Sequence, residues 1–281
     1  MTAEHVEGRL HGAGGIELYW QGWLPQAEPR AVVVISHGVS EHSARYAHVG
    51  ERLAGAGYAA YAVDHRGHGR SQGKRVMVNA DDVVADLRAF IDLAAARQPG
   101  RPVYLLGHSM GAAIAIACAV RHQDALAGLL LSGALADPDA ASPVTRALST
   151  VLSKLTPGLG VYEVDASLIS RDPEVVRAYK QDPLVHHGKL PARTVAELTG
   201  TVGRFPEEVP RLRLPLLVMH GGSDSLTTLA GSRMVHERAS SSDKTLEVYD
   251  GLRHEILNEP EKERVIAEMI EWLDARSAGP V

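Results

Sequence analysis

The sequence predicts an α/β protein with a mostly parallel central sheet flanked by helices on both faces. Three observations carry this. Strand-like and helix-like segments alternate along most of the chain, as they must where each strand returns to one sheet through a helical crossover. The run Ala31–Ser36 is apolar and β-branched almost throughout, as in a strand buried on both faces. The sharpest is the passage from the apolar run Val103–Leu106 through Gly107-His108-Ser109-Met110-Gly111 into the small-residue segment Ala112–Val120. It is a G-x-S-x-G turn set between strand and helix.

In chain order, Ile16–Gln21 is the opening strand and Ala31–Ser36 the next. A helical stretch over Tyr46–Ala56 precedes a strand at Ala59–Val63. Asp81–Ala96 is an amphipathic helix with Val84, Leu87, Ile91 and Ala95 on one face. After the G-x-S-x-G turn comes a strand at Gly128–Ser132, and later two more at Pro215–His220 and Thr245–Tyr249. Pro260 opens a last helix, with Val265, Ile266, Met269, Ile270 and Leu273 at helical spacing.

Between Leu135 and about Pro210 this rhythm breaks. Prolines recur, several short helical patterns appear, and no convincing strand does. The expected division is a core of residues 1–134 and 211–281 with a helical cap, residues 135–210, inserted late in the sheet. Within the cap, Val144, Leu148, Val151, Leu152 and Leu155 recur at spacings of three and four, which sets them on one helix face. Two destinations stay open for that face: packing on the core, or exposure at a pocket mouth against a membrane or micelle.

The chain has 281 residues, 45% of them hydrophobic and 22% charged, ample for a sizeable core. The formal net charge is -5 and no block of like charge stands out, so no nucleic-acid partner is expected. A single cysteine, Cys118, excludes a disulfide within the chain and reads as a small buried hydrophobe. Residues 1–30 lack a charged start followed by an apolar stretch, and the apolar runs are interrupted and short. The expectation is a soluble cytoplasmic protein without a signal peptide or membrane span.

The chemistry centres on Ser109. In a strand–turn–helix of this kind, side chains at Gly107 and Gly111 would collide with neighbouring backbone, and the serine is pushed out at the top of the sheet. A serine hydroxyl needs a base to take its proton and a carboxylate to orient that base. The chain order for such a site is Ser, then Asp or Glu, then His. Asp224 lies just past the strand ending at His220, and His254 follows the strand ending at Tyr249 by a short loop. Asp250 is the rival carboxylate, and Glu255 adjoins the histidine. The oxyanion needs donors already aimed at it. The backbone N–H of Met110 is one. The N–H of Val39, in the loop His37-Gly38-Val39-Ser40-Glu41-His42, is the other. A metal reading rests on His65 and His68 and on the pair His186-His187. A glycine-rich turn of hydrogen-bonded histidines accounts better for the first two, so no metal and no cofactor are expected.

Four blocks together resemble the monoacylglycerol lipases of the α/β-hydrolase superfamily. They are His37-Gly38-x-x-Glu41-His42, Asp64-His65-Arg66-Gly67-His68-Gly69-x-Ser71, Gly107-His108-Ser109-Met110-Gly111, and Leu246–Glu259. The cap segments Ser170-Arg171-Asp172-Pro173 and Asp182-Pro183-Leu184 extend the likeness over nearly the whole chain. The resemblance implies an α/β-hydrolase fold with a cap. It implies hydrolysis of a monoglyceride to fatty acid and glycerol through an acyl-enzyme on Ser109, with Asp224 and His254 as partners and Val39 and Met110 as oxyanion donors. It also implies contacts to the glycerol end from Glu41, Arg45, His108 and Tyr179. One departure is Ser40, where the family usually has glycine. The same chemistry with a different pocket describes a carboxylesterase or a lysophospholipase. A non-catalytic binding protein on this fold is disfavoured by the three triad residues.

Overall fold

The computed structural model describes residues 3–277 apart from residue 141. The first described element is an antiparallel hairpin, β1 (Glu4–His11) and β2 (Glu17–Leu24). Then β3 (Ala31–Ser36) leads to α1 (Ala47–Gly55), β4 (Tyr58–Val63) to α2 (Ala80–Arg97), and β5 (Val103–His108) to α3 (Met110–His122). After β6 (Gly128–Ser132) the chain passes through α4 (Pro143–Leu155), β7 (Gly160–Tyr162), α5 (Pro173–Gln181), β8 (Leu190–Pro191) and α6 (Ala192–Glu208). It returns through β9 (Leu216–Gly221), α7 (Leu229–Arg238), β10 (Lys244–Tyr249) and α8 (Lys262–Ser277).

The main sheet runs β1-β2-β4-β3-β5-β6-β9-β10. Its first two pairings, β1 with β2 and β2 with β4, are antiparallel; all the others are parallel. β3 sits between β4 and β5. The chain therefore leaves β3 to one side, crosses over, and continues from β5 to the other. Ligand sites in open α/β sheets form at such a reversal, beyond the carboxyl ends of the strands.

Alternate residues of the central strands feed two cores. Val32 and Val34 face a cluster with Leu87, Phe90 and Ile91 of α2 and the small residues of α3, including buried Cys118. Val33 and Ile35 face a second cluster with Val49 and Leu53 of α1 and Val265, Ile266, Met269 and Leu273 of α8. Leu198, Val202 and Phe205 of α6 belong to the first cluster, so the insertion is anchored in the same core as the sheet.

The structure differs from the sequence expectations at four places. The strand expected at Ile16–Gln21 runs Glu17–Leu24 and is preceded by β1. β1 is an edge strand whose alternate residues Val6 and Leu10 are only partly buried, so its apolar signal is thin. The insertion holds a two-stranded pairing, β7 with β8, too short to give a hydropathy period. α7 has a weak apolar face, burying only Gly231, Ser232 and Val235. Pro260 lies in the turn before α8, which begins at Lys262.

α4 resolves the question its leucines raised. Val144, Leu148, Val151 and Leu155 are exposed, while Ser149 and Ser153 are buried. Their hydroxyls are satisfied within the helix, donating to Arg146 O and Thr150 O. The helix rests on α6 with its apolar face outward. Among the described residues, every exposed large hydrophobic falls between Val144 and Tyr162. Among the described residues, no helix is long and apolar enough to cross a membrane.

Candidate active site

Ser109 has φ 54° and ψ -118°, a left-handed conformation that costs an L-residue about 1–3 kcal/mol. Backbone bonds hold it there. Its N–H donates to Ser132 O at 3.0 Å, and its carbonyl accepts from Ala112 N at 3.0 Å. The flanking glycines are obligatory. A Cβ on Gly111 would sit 2.0 Å from Ser36 O, and one on Gly107 would sit 2.6 Å from Gly111 O. Met110 opens α3, so its N–H is a first-turn donor without an intrahelical partner.

Asp224 lies past the end of β9 with its side chain wholly buried. Its Oδ1 accepts from Leu226 N at 2.8 Å and Thr227 N at 3.0 Å. Its Oδ2 accepts from Thr227 Oγ1 and from His254 Nδ1, both at 2.8 Å. A carboxylate only accepts, so His254 carries its proton on Nδ1 and leaves Nε2 as a lone pair. Burial works to raise the Asp224 carboxyl, but the hydrogen bonds from His254 and Thr227 bring it down to about 2. His220 Nε2 lies 3.3 Å from the same oxygen. The rival Asp250 is exposed.

The histidine loop is brought over the sheet by glycine. A Cβ on Gly221, the last residue of β9, would lie 2.1 Å from Arg253 O. Gly133, at φ 51°, passes so close that a Cβ would be 3.1 Å from His254 Nδ1. Buried Glu259 then pins the loop, accepting from Arg253 N at 2.9 Å and from Arg171 N and Nε at 3.1 and 2.9 Å.

The loop after β3 approaches from the other side. A Cβ on Gly38 would meet Glu41 Oε1 at 2.8 Å and Ser109 Cβ at 3.3 Å. Beneath it, His37 Nδ1 donates to Gly38 O at 2.7 Å while Nε2 accepts from His65 N at 3.0 Å. His65 Nε2 lies 2.9 Å from Ser36 Oγ. Burial pushes His37 and His65 down and His68 down to about 3, so all three are neutral. Among the described residues, no group of His, Cys, Asp and Glu is arranged to hold a metal ion. Ser40, the departure from the family glycine, is buried at φ 69°. Ser40 thus holds a left-handed backbone with a side chain in place, and its O accepts from His186 N at 2.8 Å.

These loops surround a cavity of about 390 Å³. Ser109, Met110, Val39 and His254 line it, with Leu135, Ile169, Val195, Leu198, Val202 and Leu226 as apolar wall. Glu41, His108 and Tyr179 line it too; Arg45 does not. Arg45 is held behind them by Glu41 and Glu255, 4.8 Å from the Tyr179 ring centroid. His108 Nδ1 donates to Ser132 O at 3.1 Å, which frees Nε2 to accept. Burial and nearby His254 push His108 down to about 4. Sequence reasoning missed Thr227 as a partner of Asp224. It also named Glu255 only as the neighbour of the histidine. Thr227 lies outside the quoted motifs and Glu255 inside one, but only the folded loops show what each touches.

The sequence matches the family described as serine aminopeptidase, S33, over residues 27–261. It is 46% identical to the monoacylglycerol lipase of Mycolicibacterium smegmatis, over 97% of this chain and 98% of that one. It is 36% identical to the human monoglyceride lipase, over 96% and 90%. The fold is similar to the crystal structure of the Paleococcus ferrophilus monoacylglycerol lipase, with a TM-score of 0.82 and 30% identity over 98% of this chain and 100% of that one.

Proposed function

The chain belongs to the monoacylglycerol lipases, carboxylic ester hydrolases of the α/β-hydrolase superfamily, and we propose that it cleaves monoacylglycerols to fatty acid and glycerol. The observation that carries the site assignment is the Asp224–His254 bond, which leaves Nε2 as a base in the cavity that Ser109 lines. Ser109 Oγ attacks the ester carbonyl as His254 Nε2 takes its proton. Asp224 stabilises the imidazolium. The N–H groups of Val39 and Met110 bind the oxyanion. Glycerol leaves with the proton from His254, and water then enters by the same route to release the fatty acid.

The apolar wall takes the acyl chain. At the polyol end, His108 Nε2 accepts from a glycerol hydroxyl, with Glu41 and Tyr179 beside it. Arg45 acts there only through its neighbours. Residues 135–210 serve as the cap. Its outward apolar side chains, between Val144 and Tyr162, are the peripheral contact with a membrane or micelle; they are 37–77% exposed. A cytoplasmic enzyme that meets lipid in this way fits the composition.

The test is a panel of monoacylglycerol, lysophospholipid, triacylglycerol and short soluble ester, each read against Ser109→Ala. Monoacylglycerol should have the highest kcat/KM. Ser109→Ala should lose about 10³-fold or more on every ester while staying folded. A tenth of wild-type turnover in that variant overturns the nucleophile. Equal efficiency on triacylglycerol overturns the single-chain pocket.

A further inference from the structure

The loop that carries His254 and the loop that carries Val39 come from distant parts of the chain. A buried ion network joins them. Arg45 donates through Nη1 and Nη2 to Glu255 Oε1 and Oε2, both at 2.7 Å, and through Nη1 to Glu41 Oε2 at 2.5 Å. Glu41 Oε1 accepts from Gly38 N at 2.6 Å and from Tyr46 Oη at 2.8 Å. Glu255 directly follows His254, and its carboxylate also accepts from Asn258 Nδ2 at 2.9 Å. Its own N–H donates to Ile169 O, across to the insertion, at 2.8 Å. A continuous path of hydrogen bonds therefore runs from the backbone beside Val39 to the residue beside His254.

Two carboxylates and one guanidinium lie out of water here, with side chains 3%, 5% and 11% exposed. Such groups rarely repay their desolvation, and apolar side chains of equal volume would often stabilise as well. What a guanidinium fork adds is direction, since two parallel bonds fix both distance and plane. Direction is what the chemistry needs. His254 Nε2 and the N–H of Val39 must act together on one acyl group, and tolerances in such sites are about 0.5 Å.

We propose that Glu255 and Arg45 are positioning residues that lock the histidine loop to the oxyanion loop, keeping base and oxyanion donor in register. The proposal rests on the roles of Ser109, His254 and Val39 given above. It differs from a glycerol-binding role, because a lock matters equally for an ester with no glycerol.

The experiment measures kcat and KM for Glu255→Gln, Arg45→Lys and the double variant, on a monoacylglycerol and on p-nitrophenyl acetate, with melting curves alongside. Each single variant should lower kcat about 10–100-fold on both esters, with KM within about twofold. Arg45→Lys should fail despite its charge, because an ammonium has no planar fork to fix the distance and plane of the Glu255 carboxylate. The double variant should be no worse than the worse single, as for one coupled unit. Glu255→Asp, which keeps the charge but shortens the reach, serves if Glu255→Gln does not fold, and should lose kcat likewise. A KM rise confined to monoacylglycerol would make these binding residues. Wild-type kcat on both esters, whatever the melting temperature, would make the network purely structural. Either result overturns the lock, as would additive losses. Ser109→Ala in the same assay separates the levels. Turnover there sinks the underlying mechanism, whereas a dead Ser109→Ala beside fully active network variants sinks the lock alone.

Discussion

At the carboxyl end of the sheet, Asp224 is sealed from solvent and takes bonds from Leu226, Thr227 and His254. On α4, Leu148 and Val151 are 57% and 51% exposed, while Ser149 and Ser153 face inward. One region hides polar groups and satisfies them. The other shows apolar groups and leaves them uncovered. Buried polar groups gain fixed geometry from their partners, and a reacting centre depends on such geometry. Exposed apolar groups gain nothing from water, so that face makes physical sense against a second apolar phase. On the function proposed above, bond cleavage and collection of an insoluble substrate would fall to regions built on inverted patterns.

The hardest way to break this contrast is to unsettle the sealed carboxylate. Asp224→Asn should lower kcat by about 10²–10⁴-fold with little change in KM, because the amide no longer holds the Nδ1–H tautomer. Asp250→Asn, on an exposed residue, should be nearly silent. The reverse result would assign the carboxylate to Asp250.

Acid probes the same region through stability. Glu41 and Asp224 are held down to about 2 against ordinary values of 4.5 and 3.8. In Glu41, burial opposes the shift, and the Arg45 guanidinium with the Tyr46 hydroxyl overcomes it. A lowered folded pKa stabilises above the ordinary value, and that contribution is lost as pH falls toward the folded one. His108 and His68, lowered by burial to about 4 and about 3, follow the same sign from 6.5 downward. Each costs about 1.4 kcal/mol per pH unit over its window. Urea melts should therefore show stability falling below pH 6.5 and more steeply below 4.5. A flat profile from pH 7 to 4 would mean that the buried groups do not hold these states.

The gentlest change tests the rim. Leu148→Asp with Val151→Asp should cut association with liposomes about tenfold or more, given about 1.5–3 kcal/mol for each large side chain withdrawn from an apolar phase. Folding stability should stay within about 1 kcal/mol and hydrolysis of a soluble ester should hold, since neither side chain is buried. Unchanged liposome binding would move the lipid contact elsewhere.

The contrast also explains what was legible in the sequence. The central strands read clearly, because Ala31–Ser36 is buried throughout and had no freedom to be polar. The glycines of the elbow were legible for the same reason, since backbone at 2.0 Å admits nothing larger. The apolar periodicity of α4 was visible, but its direction was not. A helix face that packs inward and one that faces lipid have the same spacing, and only contact with α6 decides between them. β1 escaped notice because an edge strand buries little. The network of Arg45 and Glu255 escaped because residues so far apart in the chain carry no local pattern.

Ser109 sits at φ 54°, in a region of backbone space that glycine occupies without penalty. Replacing it with glycine would release that strain and remove the nucleophile in one step. At this position the sturdier protein is therefore the inert one. Selection for thermal robustness alone would drift toward a fold that still holds its substrate and does nothing to it. If Ser109 is the nucleophile proposed above, its backbone strain is a stability cost that only turnover offsets.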